Sequence, residues 1–148
     1  MEILSKRTIR LNAQATDKID AIRQAGELLV QAGYVAQEYI EGMLAREAQV
    51  STYLDNGVVI PHGQFEDRSF IYHTGVSVVQ LPAGVEWSDD KVAHLVVGIA
   101  ATTDDHIGVL ANLAEVFEDP EASRKLACTT DPTVIIERLN RKQDIDET

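Results

Sequence analysis

Apolar positions along the chain switch between the spacing of helices and the spacing of strands. After Thr16 and Asp17, apolar residues recur every three or four positions, which predicts a helix that runs to about Ala32 and stops at Gly33. The same spacing predicts a second helix over residues 36–48. The residues predicted to face the core are Ile19, Ile22, Gly26 and Leu29 in the first helix, and Ile40, Met43 and Leu44 in the second.

Shorter apolar runs predict four strands, over residues 8–11, 58–60, 75–81 and 92–101. The second of these follows a turn at Asp55-Asn56-Gly57 and stops at Pro61, because proline is tolerated only at the ends or edges of strands. The last run is apolar almost without interruption, which predicts that both faces of this strand are buried.

Three further helices are predicted in the last third of the chain. Asp119-Pro120 and Asp131-Pro132 each place a capping acid before a proline suited to the first helical position. Thr103, Asp104 and Asp105 precede an apolar stripe, which places His106 in the first turn of a helix. Since helical and strand-like segments alternate without a linker or repeat, the sequence predicts one α/β domain over residues 1–148.

Composition and charge limit the function classes. The 24 acidic and 13 basic residues leave a formal net charge of -11, which argues against binding to nucleic acid or to an anionic membrane. No run approaches the roughly 20 apolar residues of a membrane span, so membrane insertion is not expected. Cys128 is the single cysteine, which fits a reducing cytoplasm. An anionic substrate therefore has to be held by locally placed cations.

His62 is the first candidate for chemistry, because imidazole can act as a base, a ligand or a phosphoryl acceptor near neutral pH. It lies between Pro61 and Gly63 at the end of a predicted strand, where reactive residues of α/β folds gather. The glycine leaves room for a partner to approach. On local chemistry alone, however, a turn that carries a surface histidine is the favoured interpretation.

Arg46 and His106 are further candidates, each with a structural alternative. A guanidinium can donate two parallel hydrogen bonds to a phosphoryl group, but Arg46 is also placed to pair with Glu41 or Glu47. His106 lies where helix N–H groups favour anions, although the preceding aspartates oppose this, so a solvated capping segment is the alternative. Local chemistry thus leaves the assignment open.

The other candidates have weaker support. His73 and His94 fall in strand-like segments and are interpreted as exposed or hydrogen-bonded sheet histidines. Cys128 is interpreted as inert packing within a helix. No sequence motif for a zinc site, a nucleoside-triphosphate loop or a serine hydrolase occurs, so no metal or cofactor is expected.

Longer stretches of the chain resemble a known family over nearly its whole length. They are Met43-Leu-Ala-Arg-Glu, Thr52-Tyr-Leu, Gly57-Val-Val-Ile-Pro-His-Gly, Thr74-Gly-Val, Leu81-Pro-Ala-Gly-Val, Val97-Gly-Ile-Ala-Ala and Asp105-His-Ile. In this order and at these separations they resemble enzyme IIA (EIIA) domains of the mannitol–fructose class of the bacterial sugar phosphotransferase system. The flanking segments are most similar to the mannitol type, here without a fused partner.

The resemblance implies a fold, an activity and partners. The fold is one α/β domain with a mainly parallel mixed sheet and helices on both faces. His62 would accept a phosphoryl group from the carrier protein HPr and pass it to a cysteine of EIIB, with Arg46 and His106 as the accompanying active-site residues. With no EIIB or membrane segment in the sequence, a separate EIIBC permease is implied. An exposed apolar collar from Val58, Ile60 or Phe65 is expected around the histidine.

Two alternatives to sugar transport follow from the same resemblance. A regulatory module like the nitrogen-type relatives would use phosphorylation of the same histidine to switch binding to a target protein. A catalytically inactive interaction domain would keep the fold without accepting phosphate. The presence of His62, Arg46 and His106 together favours an active carrier.

Overall fold

The strands that the structure describes form one mixed sheet. The computed structural model describes residues 3–88, 90–102 and 106–147, with the backbone alone at 106–107 and 141–147. The strands are β1 (Ile9–Arg10), β2 (Val58–Val59), β3 (Gly75–Ser88) and β4 (Lys91–Ala100). Their spatial order in the sheet is β1-β3-β4-β2. The pairs β1–β3 and β2–β4 are parallel, whereas the long pair β3–β4 is antiparallel. The predicted mixed α/β sheet is confirmed.

The pairing of β2 with β4 determines where the chain goes after Pro61. Val58 and Val59 pair with Leu95 and Val96, and an isolated parallel bridge joins His62 to Ile99 with the same offset. The N–H of Ile99 also donates to the carbonyl of Pro61, 2.9 Å away. The segment that follows β2 therefore stays attached to the sheet as far as His62.

Five α-helices of the described residues accompany the sheet, and their ends follow the signals in the sequence. They are α1 (Lys18–Gln31), α2 (Glu38–Gln49), α3 (His106–Phe117), α4 (Pro120–Cys128) and α5 (Pro132–Glu147). The Asp17 carboxylate accepts a hydrogen bond from the N–H of Asp20 at the start of α1. Gly33 adopts a φ of 83° just beyond the end of α1, a conformation that suits glycine. The predicted start and end of α1 are confirmed.

Side chains of the sheet are buried on alternate sides, against two separate helix layers. Val59 and Val96 pack against residues of α1 and α2, such as Ile22 and Met43. The opposite face, which includes Leu95, packs with residues of α3, α4 and α5. Because successive side chains of a strand point to opposite faces, this arrangement covers both faces of β4 and explains its nearly continuous apolar run. The prediction of helices on both faces is confirmed.

Three residues that the sequence predicted to be buried are exposed. Ile19 is 43% exposed, because the buried side of α1 is centred on small residues such as Ala21 and Ala25. Val92 is also 43% exposed, because the β3–β4 hairpin there is covered on one side only. Cys128 is exposed at the last residue of α4 and does not serve as packing inside a helix.

In the ranges that the structure describes, no helix has both the length and the apolar character needed to cross a membrane.

Candidate functional site

His62 is held by its own backbone segment in one defined ring orientation. The side chain is half-buried, and its Nδ1 lies 2.8 Å from the carbonyl oxygen of Ile60. A carbonyl oxygen can only accept a hydrogen bond, so Nδ1 carries the proton in the neutral ring. The lone pair of the neutral imidazole is then on Nε2, which is the nitrogen suited to nucleophilic attack.

Tyr39 of α2 connects the backbone that follows His62 to the end of β4. Its hydroxyl donates to the carbonyl of Ile99 at 2.8 Å and accepts from the N–H of Gly63, also at 2.8 Å. A Cβ atom added at Gly63 would lie 2.6 Å from Cε1 of the tyrosine ring. The glycine after the histidine is therefore required by contact with Tyr39 inside the protein, in addition to any access it gives to a partner.

A surface cavity of about 550 Å³ brings His62 and Arg46 together. Arg46 lies near the end of α2, is half-buried, and donates from Nη1 to the carbonyl of Val50 at 2.6 Å. In the described part of the chain it forms no ion pair with Glu41 or Glu47, because Glu41 pairs with Arg23 and the oxygens of Glu47 accept from Thr52 and Trp87. The alternative interpretation of Arg46 as an ion-pair residue of its own helix is therefore wrong.

A second arginine, which the sequence did not single out, lies at the rim of the same cavity. The guanidinium carbon of Arg68 lies 3.9 Å from the centroid of the Phe65 ring, and Nη1 donates to the Phe65 carbonyl. The described lining thus contains two arginines, Arg46 and Arg68, and one carboxylate, that of Glu66. The balance of charge favours a bound anion.

The expected apolar collar around His62 is only partly present. Phe65 is 67% exposed beside the histidine, which confirms one of its three predicted members. Val58 and Ile60 are 0% and 8% exposed, so their assignment to the collar is wrong. Both belong to the core between the sheet and helices α3 to α5, because β2 is covered on each face.

His106 is the first residue of α3, as the sequence predicted, and α3 follows the end of β4 that pairs with the His62 segment. Its side chain, and the predicted capping residues Thr103, Asp104 and Asp105, lie outside the described residues. The place of His106 in the site therefore remains a prediction.

The two remaining histidines occupy other surroundings. The Nδ1 of His94 lies 3.2 Å from the carbonyl of Leu81, which confirms a hydrogen-bonded sheet histidine. His73 is exposed in the bend before β3. In the described ranges, no group of three or more His, Cys, Asp or Glu side chains is arranged to hold a metal ion.

Glu47 is a buried carboxylate next in sequence to Arg46, and it is only 5% exposed. Its Oε1 accepts from the backbone N–H and the hydroxyl of Thr52, at 2.9 and 2.6 Å, and its Oε2 accepts from Nε1 of Trp87 at 3.0 Å. The carbonyl of Thr52 in turn accepts from the N–H of Ile60. Glu47 is thus connected through Thr52 to the residue whose carbonyl orients His62.

The buried hydroxyl of Tyr39 gives a testable dependence on pH. Burial raises the pKa of Tyr39 from 10.0 to about 12. The folded protein thus favours the protonated tyrosine. The contribution of Tyr39 to the free energy of unfolding is therefore intact below about pH 10 and is lost as pH rises toward 12. Two pKa units correspond to about 2.7 kcal/mol. Denaturant unfolding at increasing alkaline pH measures this loss.

Tyr39→Phe is the variant that separates this loss from other alkaline effects. Its free energy of unfolding at neutral pH is expected to be about 1–3 kcal/mol lower than that of the wild type, because the carbonyl of Ile99 and the N–H of Gly63 lose their partner. Above pH 10 its stability should fall less steeply than that of the wild type. Tyr72→Phe, at a residue that is 61% exposed, is the control. Equal alkaline slopes in wild type and Tyr39→Phe would contradict the assignment.

Known proteins match this chain both in sequence and in structure. Residues 2–142 match a family model described as "Phosphoenolpyruvate-dependent sugar phosphotransferase system, EIIA 2". The chain is 47% identical over 136 residues to a multiphosphoryl transfer protein of Rhodobacter capsulatus, which covers 92% of this chain and 16% of that protein. The chain thus spans much less than two thirds of the length of this relative.

Two mannitol-specific proteins match over most of their own length. The chain is 41% identical over 121 residues to the mannitol-specific phosphotransferase enzyme IIA component of Geobacillus stearothermophilus, covering 82% of this chain and 83% of that protein. The structure is similar to enzyme IIA in the Escherichia coli complex of IIA-mannitol with phosphorylated IIB-mannitol, with a TM-score of 0.86 and 39% identity. That match covers 93% of this chain and 96% of the other. The chain therefore belongs to the EIIA type 2 family of the phosphoenolpyruvate-dependent sugar phosphotransferase system.

Proposed function

We propose that this chain is a phosphocarrier that receives a phosphoryl group from phospho-HPr on Nε2 of His62 and delivers it to a cysteine of a mannitol-type EIIB. The observation that carries the proposal is the 2.8 Å contact between Nδ1 of His62 and the Ile60 carbonyl, at a histidine that shares a cavity with Arg46. This contact selects the tautomer with a nucleophilic Nε2. Family membership supports the same chemistry.

The transfer consists of two displacements at phosphorus. In the first, the lone pair of Nε2 attacks the phosphorus of phospho-HPr, and the bond from phosphorus to the HPr histidine breaks, returning its electron pair to that ring. Phosphorylated His62 keeps its proton on Nδ1, where the carbonyl of Ile60 accepts a hydrogen bond and stabilises the positive charge of the ring. In the second, a thiolate of EIIB attacks phosphorus and the N–P bond breaks, which restores the neutral histidine.

Charge develops on the three equatorial oxygens of the transferred group, so catalysis depends on positioned cations and N–H donors. Arg46 is one of two described arginines in the cavity of His62, and its planar guanidinium can donate two parallel hydrogen bonds to phosphoryl oxygens. We assign His106, at the start of α3, to the same task. Arg68 lies at the rim, where a cation can also attract the phosphorylated partner.

The proposed partners approach the face that carries Phe65 and Arg68. An exposed aromatic ring stacked under a guanidinium provides an apolar contact and a positive charge, both common at the centres of protein interfaces. A transfer that begins with phosphoenolpyruvate takes place in the cytoplasm, so we propose a cytoplasmic location and no insertion into the membrane. No metal or cofactor has a step in this scheme.

The proposal is tested at two successive steps: receipt of the phosphoryl group from HPr, and its delivery to EIIB. Purified protein is incubated with phosphoenolpyruvate, enzyme I and HPr, and intact mass is followed for one acid-labile phosphoryl group. Phosphorylated protein is then mixed with a mannitol-type EIIB. Phosphorylation of EIIB supports the sugar-transport role. Labelling without delivery to EIIB would favour the regulatory role, and no labelling would favour an inactive domain.

Loss of either supporting residue should slow transfer without unfolding the protein. For Arg46→Gln we expect phosphorylation by HPr to be about tenfold to a hundredfold slower, because one charge-assisted interaction contributes about 1.5–3 kcal/mol. His106→Ala should act in the same direction. Rapid-quench kinetics measure the rate. Arg23→Gln, which removes an exposed arginine from α1, is the matched control and should react at the wild-type rate.

A further inference from the structure

A second and larger cavity, of about 810 Å³, lies at the opposite end of the sheet from His62. Its described lining includes His94, near the start of β4, and Asn56, which lies two residues before the start of β2. His62 pairs instead with Ile99, five residues further along β4, a separation of about 17 Å at the usual rise of a strand. No described residue lines both cavities.

The charge of this second cavity is opposite in sign to that of the whole chain. Its described lining contains Arg124 and no carboxylate, although the chain carries 24 acidic residues and a net charge of -11. Arg124 is an exposed residue of α4, and in the described part of the chain its guanidinium forms neither a hydrogen bond nor an ion pair. An uncompensated cation in a concave site favours an anion.

The ring of His94 adds a fixed hydrogen-bond acceptor to the cavity. Its Nδ1 donates to the carbonyl of Leu81, so Nε2 carries the lone pair of the neutral ring. Gly57 and Gly84 pack against its edges: an added Cβ would lie 3.3 Å from Cδ2 at Gly57 and 2.9 Å from Cε1 at Gly84. Both glycines have a φ of 78°, a conformation in which other residues are strained.

Two amides of the lining belong to the framework of the cavity. The Nε2 of Gln80 donates to the carbonyls of Leu126 and Thr129, and the Nδ2 of Asn56 donates to the carbonyl of Phe117. These bonds tie β3 to α4 and to the residue that follows it, and the turn before β2 to the end of α3. Apolar surface in the lining comes from Leu11, Pro82 and Ala127.

We propose that this cavity binds a small organic anion. Its acidic group pairs with Arg124, an N–H or O–H group donates to Nε2 of His94, and its apolar body lies against Leu11, Pro82 and Ala127. The proposal is independent of phosphoryl transfer at His62, because it uses none of the residues of that site.

The test uses two dyes with the same apolar body and N–H group. The first is 8-anilinonaphthalene-1-sulfonate, which is an anion, and the second is its uncharged counterpart N-phenyl-1-naphthylamine. Binding is followed by fluorescence titration of wild type, Arg124→Gln and Arg68→Gln. The two variants make the same change of charge, each at an exposed arginine, but at different cavities. We expect Arg124→Gln to bind the sulfonate about threefold to tenfold more weakly and the neutral dye unchanged.

Cys128 reports the position of the dye, because it lines the cavity and is the single cysteine of the chain. The sulfonate is expected to slow alkylation of Cys128 by iodoacetamide in wild type and in Arg68→Gln. Phosphorylation by HPr should proceed at the wild-type rate in Arg124→Gln. A loss of dye binding in this variant is therefore distinguishable from a loss of phosphoryl transfer at His62. Weaker sulfonate binding in Arg68→Gln alone, equal effects of both variants, or no protection of Cys128 would each overturn the proposal.

Discussion

Replacing His62 with alanine is expected to abolish phosphorylation of the chain by phospho-HPr. The variant lacks the nitrogen that becomes bonded to phosphorus, and no other described side chain of the cavity is a histidine. The fold should be kept, since His62 is half-buried and lies at the surface cavity outside both core clusters. Intact mass before and after incubation with phosphoenolpyruvate, enzyme I and HPr measures the loss.

Two controls make this result specific. His73→Ala removes an exposed histidine before β3 and should be phosphorylated as fast as the wild type. In the wild-type phosphoprotein, nitrogen-15 NMR of the labelled ring should show phosphorus on Nε2, with the proton retained on Nδ1. Full labelling of His62→Ala would remove His62 as the acceptor. Phosphorus on Nδ1 would retain the acceptor but refute the role given to the Ile60 carbonyl.

The helices were predictable because their ends carry local chemical signals. Asp17 caps α1, Gly33 ends it with a positive φ, and Asp119 caps α4 ahead of Pro120. The length of β3 was less predictable: it continues to Ser88 instead of ending near Leu81. Its register with β4 shifts between Gln80 and Val85, and this irregularity hides the continuation of the strand from a search for regular alternation.

The site was predictable only in part, because its geometry depends on contacts distant in sequence. The roles of His62 and Arg46 were each ambiguous by local chemistry. The resemblance to a family assigned both residues to one active site, and the structure places both in the lining of one cavity. Tyr39 was missed, since its hydroxyl bonds to residues 24 and 60 positions away. Nothing in the spacing of α2 marks that hydroxyl as different from its apolar neighbours.

The second large effect is expected at Glu47, the buried acid beside Arg46. In Glu47→Ala, three donors lose their acceptor: the N–H and hydroxyl of Thr52 and Nε1 of Trp87. Each buried donor left without a partner costs about 1–3 kcal/mol, and water entering the space offsets part of this. We expect the free energy of unfolding to fall by about 3–5 kcal/mol, measured by urea denaturation.

The same substitution should slow phosphorylation, because Thr52 also holds the segment that orients His62. The carbonyl of Thr52 accepts from the N–H of Ile60, whose own carbonyl accepts from Nδ1 of His62. Glu47→Gln keeps an acceptor for Thr52 but turns an amide donor toward Trp87, so it should fall between wild type and Glu47→Ala in both stability and rate. Glu41→Ala, which removes an exposed acid of the same helix and its ion pair with Arg23 of α1, should cost less than about 1 kcal/mol. If Glu47→Ala were no less stable than Glu41→Ala, the carboxylate would not connect α2 to the His62 segment.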